Sequence, residues 1–164
     1  MNQPKIIAFM QNPWFTIETP RTVVDKYKTD QEFHKRILLE TMSGQRLINA
    51  FGPTVFHAIH WDNVAPEAAP EADGETEIDP SHVEKVISVI EPDLIITFGN
   101  LAKSALKNSI LAEDIHVMNC HHPNARYKTA GDLGEFAIRV SEWCDQWRID
   151  TARDDYKKKG YGKK

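Results

Sequence analysis

Pro92-Asp93-Leu94-Ile95-Ile96-Thr97-Phe98-Gly99-Asn100-Leu101-Ala102 sets a continuous apolar run against a glycine and then a helix-forming stretch. Such a run from Asp93 to Phe98 reads as a strand in a sheet covered on both faces. Gly99 supplies the turn, and Asn100 to Lys107 reads as a short helix. Upstream, Lys5-Ile6-Ile7-Ala8-Phe9-Met10 is a similar buried strand, closed by the turn signal Asn12-Pro13. Residues 11–28 read as a long loop broken by Pro13 and Pro20.

Thr29 with Glu32 forms a capping box for a helix bearing Phe33, Ile37 and Leu38. Ser43-Gly44 breaks or kinks it, Leu47, Ile48 and Phe51 continue its apolar face, and Gly52-Pro53 ends it. Thr54 to Trp61 reads as the second strand, because it is rich in β-branched and aromatic residues. Residues 62–78 read as an exposed loop. Asp79-Pro80 then opens a helix with Val83, Val86, Ile87 and Ile90 at helical spacing. Ile115 to Met118 is the fourth strand, His121 to Lys128 a loop, and Leu133 to Trp147 the closing helix. Strands alternating with helices predict a four-stranded parallel sheet in a three-layer α/β/α domain over residues 1–149. A polar, Lys-rich and frayed tail follows over 150–164.

The chain has 164 residues and a net charge of −4. Glu67, Glu71, Asp73, Glu75, Glu77 and Asp79 concentrate negative charge in one segment; setting those six aside turns −4 into +2 for the rest. Net charge therefore does not exclude a nucleic-acid partner, but it argues against binding by bulk electrostatics. The lysines at 157–159, 163 and 164 could add sequence-independent attraction for phosphate. No apolar run is long enough for a membrane span. The N-terminal residues show no signal-peptide pattern, and two cysteines make no disulfide framework. The chain is read as intracellular, cytoplasmic and without a membrane partner.

In a parallel sheet, ligands bind beyond the carboxyl ends of the strands. The loops expected there are Gln11-Asn12-Pro13-Trp14, Asp62-Asn63 and His121-His122-Pro123-Asn124. Met10-Gln11-Asn12-Pro13 resembles the first-strand loop of the uracil-DNA glycosylase superfamily, and His122-Pro123-Asn124-Ala125-Arg126 its last-strand loop. Ser43-Gly44-Gln45-Arg46-Leu47 is similar to its Gly-Arg-x-Leu helix start. Pro92 to Ile96 with Gly99 and Ala102 is similar to its strand-turn-helix. The likeness spans residues 5–145 in order. Met10 stands where the family has glycine, Trp14 where it has tyrosine or glycine, and Asn124 where it has serine. The iron–sulfur members carry four cysteines, against two here.

The resemblance implies a DNA glycosylase that flips uracil or a modified base out of single- or double-stranded DNA and removes it hydrolytically, with no cofactor. It implies that Asn12 positions water and that His122 donates to the pyrimidine oxygen as negative charge develops. Gln11, Trp14, Phe15 and Asn63 would hold the base, with Trp14 or Phe15 stacking on it and His57 and His60 as rivals to Asn63 for reading its edge. Asn124 and Arg126 would contact DNA, Arg126 as a wedge or phosphate contact.

More ordinary readings stand beside these. Asn12-Pro13 could be only a turn and His122 a capping histidine. His57 and His60, three apart in a strand, would face opposite sides. Trp143 and Trp147 are spaced for packing on the last helix. His116, Cys120, His121 and His122 lack a familiar metal-ligand spacing, so no metal is assigned. The alternative function is a catalytically inactive glycosylase-fold protein that binds a base, nucleic acid or a protein partner, the last through the acidic loop 67–79.

Overall fold

Every residue of Ile6–Met10 and of Leu94–Phe98 is buried, which explains why neither run alternates with polar residues. They form the two central strands, β1 and β3, of a four-stranded parallel sheet in the computed structural model. The structure describes residues 3–160 except 14, 16, 68–76 and 126–129. β2 (His60–Asn63) and β4 (His116–Cys120) complete the order β2-β1-β3-β4. Ile7 lies opposite His60 and Ile95, and Leu94 opposite His116.

Side chains alternate across this sheet. Ala8, Met10, Ile96 and Phe98 pack with Leu47, Phe51, Phe136 and Val140 on one face. Ile7, Phe9 and Ile95 pack with Val83, Ile87, Ala102 and Leu106 on the other. The first face is covered by α3 (Met42–Phe51) and α7 (Ala130–Lys158). The second is covered by α5 (Pro80–Ile90) and α6 (Asn100–Lys107). This is an α/β fold compatible with three α/β/α layers. Among the described residues no helix is long and apolar enough to cross a membrane.

Several local expectations are corrected. Residues 21–29 are not loop but the helix α1 (Arg21–Thr29), which begins directly after Pro20. Proline is tolerated in front of a helix, and Val24 and Tyr27, one turn apart, bury this one. The next helix, α2 (Gln31–Leu39), is capped by Asp30, whose Oδ1 accepts from the Phe33 amide at 3.1 Å. The Thr29 hydroxyl instead donates to the Asp25 carbonyl inside α1. The chain breaks at Glu40–Thr41 rather than at Ser43-Gly44, with the Thr41 hydroxyl accepting from the Gly44 amide. A Cβ on Gly44 would fall 1.9 Å from the Leu38 carbonyl oxygen, so only glycine lets α3 start this close to α2.

The expected strand at 54–61 is mostly the helix α4 (Pro53–Ala58). Proline at its first position presets a helical φ, and Phe56 anchors it by full burial. His57 is therefore an exposed helical residue, while His60 opens β2, so the two do not share a strand and the expected placement on its opposite sides does not apply. Lys35, itself buried, donates to the His57 carbonyl at 2.6 Å and satisfies an end carbonyl of α4. Asp79 and Pro80 start α5 as read, the Asp79 carboxylate accepting from the His82 amide. β4 lies slightly later than expected, and α7 runs well beyond Trp147. Residues 150–158, read as a frayed tail, are its exposed last turns.

Candidate functional site

The strand order reverses between β1 and β3, where ligand crevices form in sheets of this type. β1 runs out into Gln11, β3 into Gly99, and β4 into His121 and His122. The backbone continues the sheet one step further: the Gly99 amide donates to the Cys120 carbonyl, and the Ala65 amide to the Gln11 carbonyl, each at 2.9 Å. Gly99 has φ +93° and ψ 165°, a region that essentially only glycine occupies. A Cβ there would lie 2.9 Å from the Gln11 Nε2 and 3.6 Å from the His122 Cβ. A bare backbone thus forms the floor on which residues from the first and last strand loops meet.

His122 is held in a defined protonation geometry. Its Nδ1 accepts from the Asn124 amide at 3.1 Å, and its carbonyl accepts from the Ala125 amide at 2.9 Å. Burial, reinforced by the neighbouring His121, lowers its pKa below the ordinary histidine value. A neutral ring with Nδ1 accepting must carry its proton on Nε2, so His122 presents a donor. Arg46 of α3 donates to the Pro123 carbonyl at 2.9 Å and to the Asn124 Oδ1 at 3.0 Å.

Asn12 is half-buried, and its Nδ2 donates to the Pro13 carbonyl at 3.2 Å. That leaves Oδ1 as the acceptor end of the amide, able to accept a hydrogen bond from a water or another donor. Phe15 is buried and packs edge-on against Tyr27, with ring centres 5.1 Å apart. Asn63 is the last residue of β2, buried, and donates from Nδ2 to the Tyr27 hydroxyl at 3.1 Å. Asn124 is exposed. Trp14, Arg126 and residues 68–76 of the acidic loop lie outside the described residues. Glu67, at the start of that loop, pairs with Arg21 and Lys28 of α1.

A second polar cluster lies beside Asn63; the sequence placed Asp62 in a strand-end loop and offered His60 as a base reader, but did not pair them with His82. The Asp62 carboxylate faces His82 Nε2 at 2.8 Å and His60 Nε2 at 3.5 Å, and accepts from the Asn63 amide at 2.8 Å. Burial raises its pKa, but the bonds from His60 and His82 outweigh that and hold it below the usual carboxylate range. Nearby, Tyr27 stacks on His34 with centres 3.9 Å apart. Burial pushes the Tyr27 hydroxyl up and the His34 ring down to about 4. The one available signal was His60-x-Asp62, whose period of two puts both on one face of a strand. Among the described residues no group of three or more His, Cys, Asp or Glu is placed to hold a metal ion.

Two hollows flank α5, and neither is lined by Gln11, Gly99 or His122. One is a shallow groove of about 550 Å³ beside Ser81, Lys85 and Leu111, the other a recess of about 330 Å³ between α5 and α6. Glu84, which borders both, accepts from Ser109 and the Leu111 amide and acts as a structural cap. Fold and site together define a parallel α/β protein in which amide and imidazole side chains from two strand loops meet over Gly99 at the switch point. No protein-family model matches the chain, and no curated protein matches it.

Proposed function

We propose that the chain is a monofunctional DNA glycosylase acting on uracil or a modified base. The reading rests on one observation: Gln11 and His122, from the two loops whose motifs resemble the glycosylase superfamily, converge on the bare backbone of Gly99. Cleavage of the N-glycosidic bond leaves cationic character on the sugar and negative charge on the departing base. From a ring that burial keeps neutral, the Nε2–H of His122 would donate a hydrogen bond to the base oxygen as that charge grows, and keep its proton. The Oδ1 of Asn12 would hold the attacking water at the sugar carbon. An amide cannot take its proton, so the rate enhancement would come from orientation and electrostatics.

Phe15 and Asn63 are engaged with Tyr27, which favours a second reading, a fold that binds a base, nucleic acid or partner without cleaving it. A cleavage assay separates the two. Labelled single- and double-stranded oligonucleotides would carry uracil, 5-hydroxymethyluracil, hypoxanthine or xanthine. Alkali-labile abasic sites made by the wild type and lost in Asn12→Ala and His122→Ala are the expected result. No cleavage of any substrate at high enzyme refutes the glycosylase reading and leaves the binding one.

A further inference from the structure

We infer that Arg46 is a positioning residue that fixes the ring of His122 through the Pro123-Asn124 turn. Two bonds from its guanidinium fall on consecutive residues of that turn, the Pro123 carbonyl and the Asn124 Oδ1. The backbone amide of Asn124, in the same clamped residue, donates to the His122 Nδ1. Arg46 therefore sets the position of the N–H that decides which ring nitrogen of His122 holds the proton.

The clamp has a firm base. α3 is anchored by the Thr41 cap and by the contact of Gly44 with the Leu38 carbonyl. Leu47, next to Arg46, is fully buried. The turn needs such a support because Asn124 is exposed, and a bare surface turn samples other conformations. Both bonds leave one nitrogen, Nη1, so a single positively charged group ties the Pro123 carbonyl to the Asn124 side chain, and the rigid guanidinium plane limits how far that nitrogen can move. The role in catalysis rests on the glycosylase reading. The control of the ring does not.

The experiment labels the ring nitrogens of all histidines in the full chain with ¹⁵N and records long-range proton–nitrogen correlations, with His122→Gln assigning the His122 signals. In the wild type, the pattern of an Nε2-protonated neutral ring is expected. In Arg46→Met, which keeps the aliphatic stem, His122 is expected to shift toward a mixture of both tautomers while the other six histidines stay unchanged. Arg46→Lys should restore part of the wild-type pattern.

Asn124→Ala removes one of the two acceptors yet keeps the backbone amide, so it should shift the His122 pattern in the same direction without touching α3. An unchanged His122 pattern in both Arg46→Met and Asn124→Ala overturns the inference. If Arg46→Met does not fold, Asn124→Ala alone decides it. Where the wild type cleaves a uracil oligonucleotide, Arg46→Met should lower kcat about 10- to 100-fold with KM little changed. If the wild type cleaves nothing, the glycosylase reading fails and the ring pattern still decides the role of Arg46.

Discussion

His34 gives the protein a built-in sensitivity to acid that can be dissected with one substitution. The ring is 4% exposed, stacked on Tyr27, and its Nδ1 lies 3.3 Å from the Tyr27 carbonyl. Burial is the main reason its pKa drops from 6.5 to about 4; the nearby Asp62 opposes the drop, while His60 and Lys35 reinforce it. Below pH 6.5 the unfolded chain takes up a proton at this position and the folded protein does not. Stability from His34 is thus complete above pH 6.5, falls as the pH drops toward 4, and levels off below that. A gap of two to three pH units at 1.36 kcal/mol each corresponds to about 3 kcal/mol. His34→Phe keeps a flat ring for Tyr27 but cannot be protonated. Its lost hydrogen bond costs about 1 kcal/mol at every pH, which offsets the curve without tilting it. Urea unfolding at intervals from pH 4 to 7.5 gives the slope for each protein. Burial also lowers the pKa of His122, so the wild type has a second contribution of the same sign in this range. Taking the difference between the two proteins removes it. Equal losses of stability in wild type and His34→Phe between pH 6.5 and 4 would refute the assignment.

Other outcomes follow from the same geometry. His122→Ala and Asn12→Ala should each reduce base release by about 10²- to 10³-fold, measured as abasic sites formed per unit time. Gly99→Ala meets both a φ of +93° and the Gln11 amide at 2.9 Å. It should cost on the order of 1–3 kcal/mol in urea unfolding and displace the Gln11 side chain. Asp62→Asn should destabilise at pH 7 and flatten the stability curve below pH 3.8, since a carboxylate with a depressed pKa adds stability above that value and loses it as the pH falls further.

The central strands were readable because burial on both faces leaves a plain signature in composition, as in β1 and β3. The start of α5 was readable because Asp79-Pro80 acts locally, through one side chain and one fixed dihedral. The errors came where a local signal had two meanings. Pro20 reads as a breaker, yet it stands at the entrance of α1. Thr54 and Val55 favour strands, yet Pro53 and the burial of Phe56 draw them into α4. The candidate loops could be placed at the strand ends by topology alone. The partners that tune them could not, because Arg46 reaches the last loop from 77 residues away and Tyr27 meets Asn63 from 36. Distances of that kind leave no periodic trace in a sequence.

One bond pair at the side of the sheet has a consequence for the behaviour of the molecule in a crowded solution. The Gln31 side chain accepts from the Trp61 amide at 2.6 Å and donates to the Trp61 carbonyl at 3.0 Å. These are two of the groups that β2 would offer to an incoming strand. A single amide imitates the peptide unit of that strand and occupies its place, so at Trp61 the β2 border offers no free peptide group to another chain, which works against the edge-to-edge association that leads to aggregates.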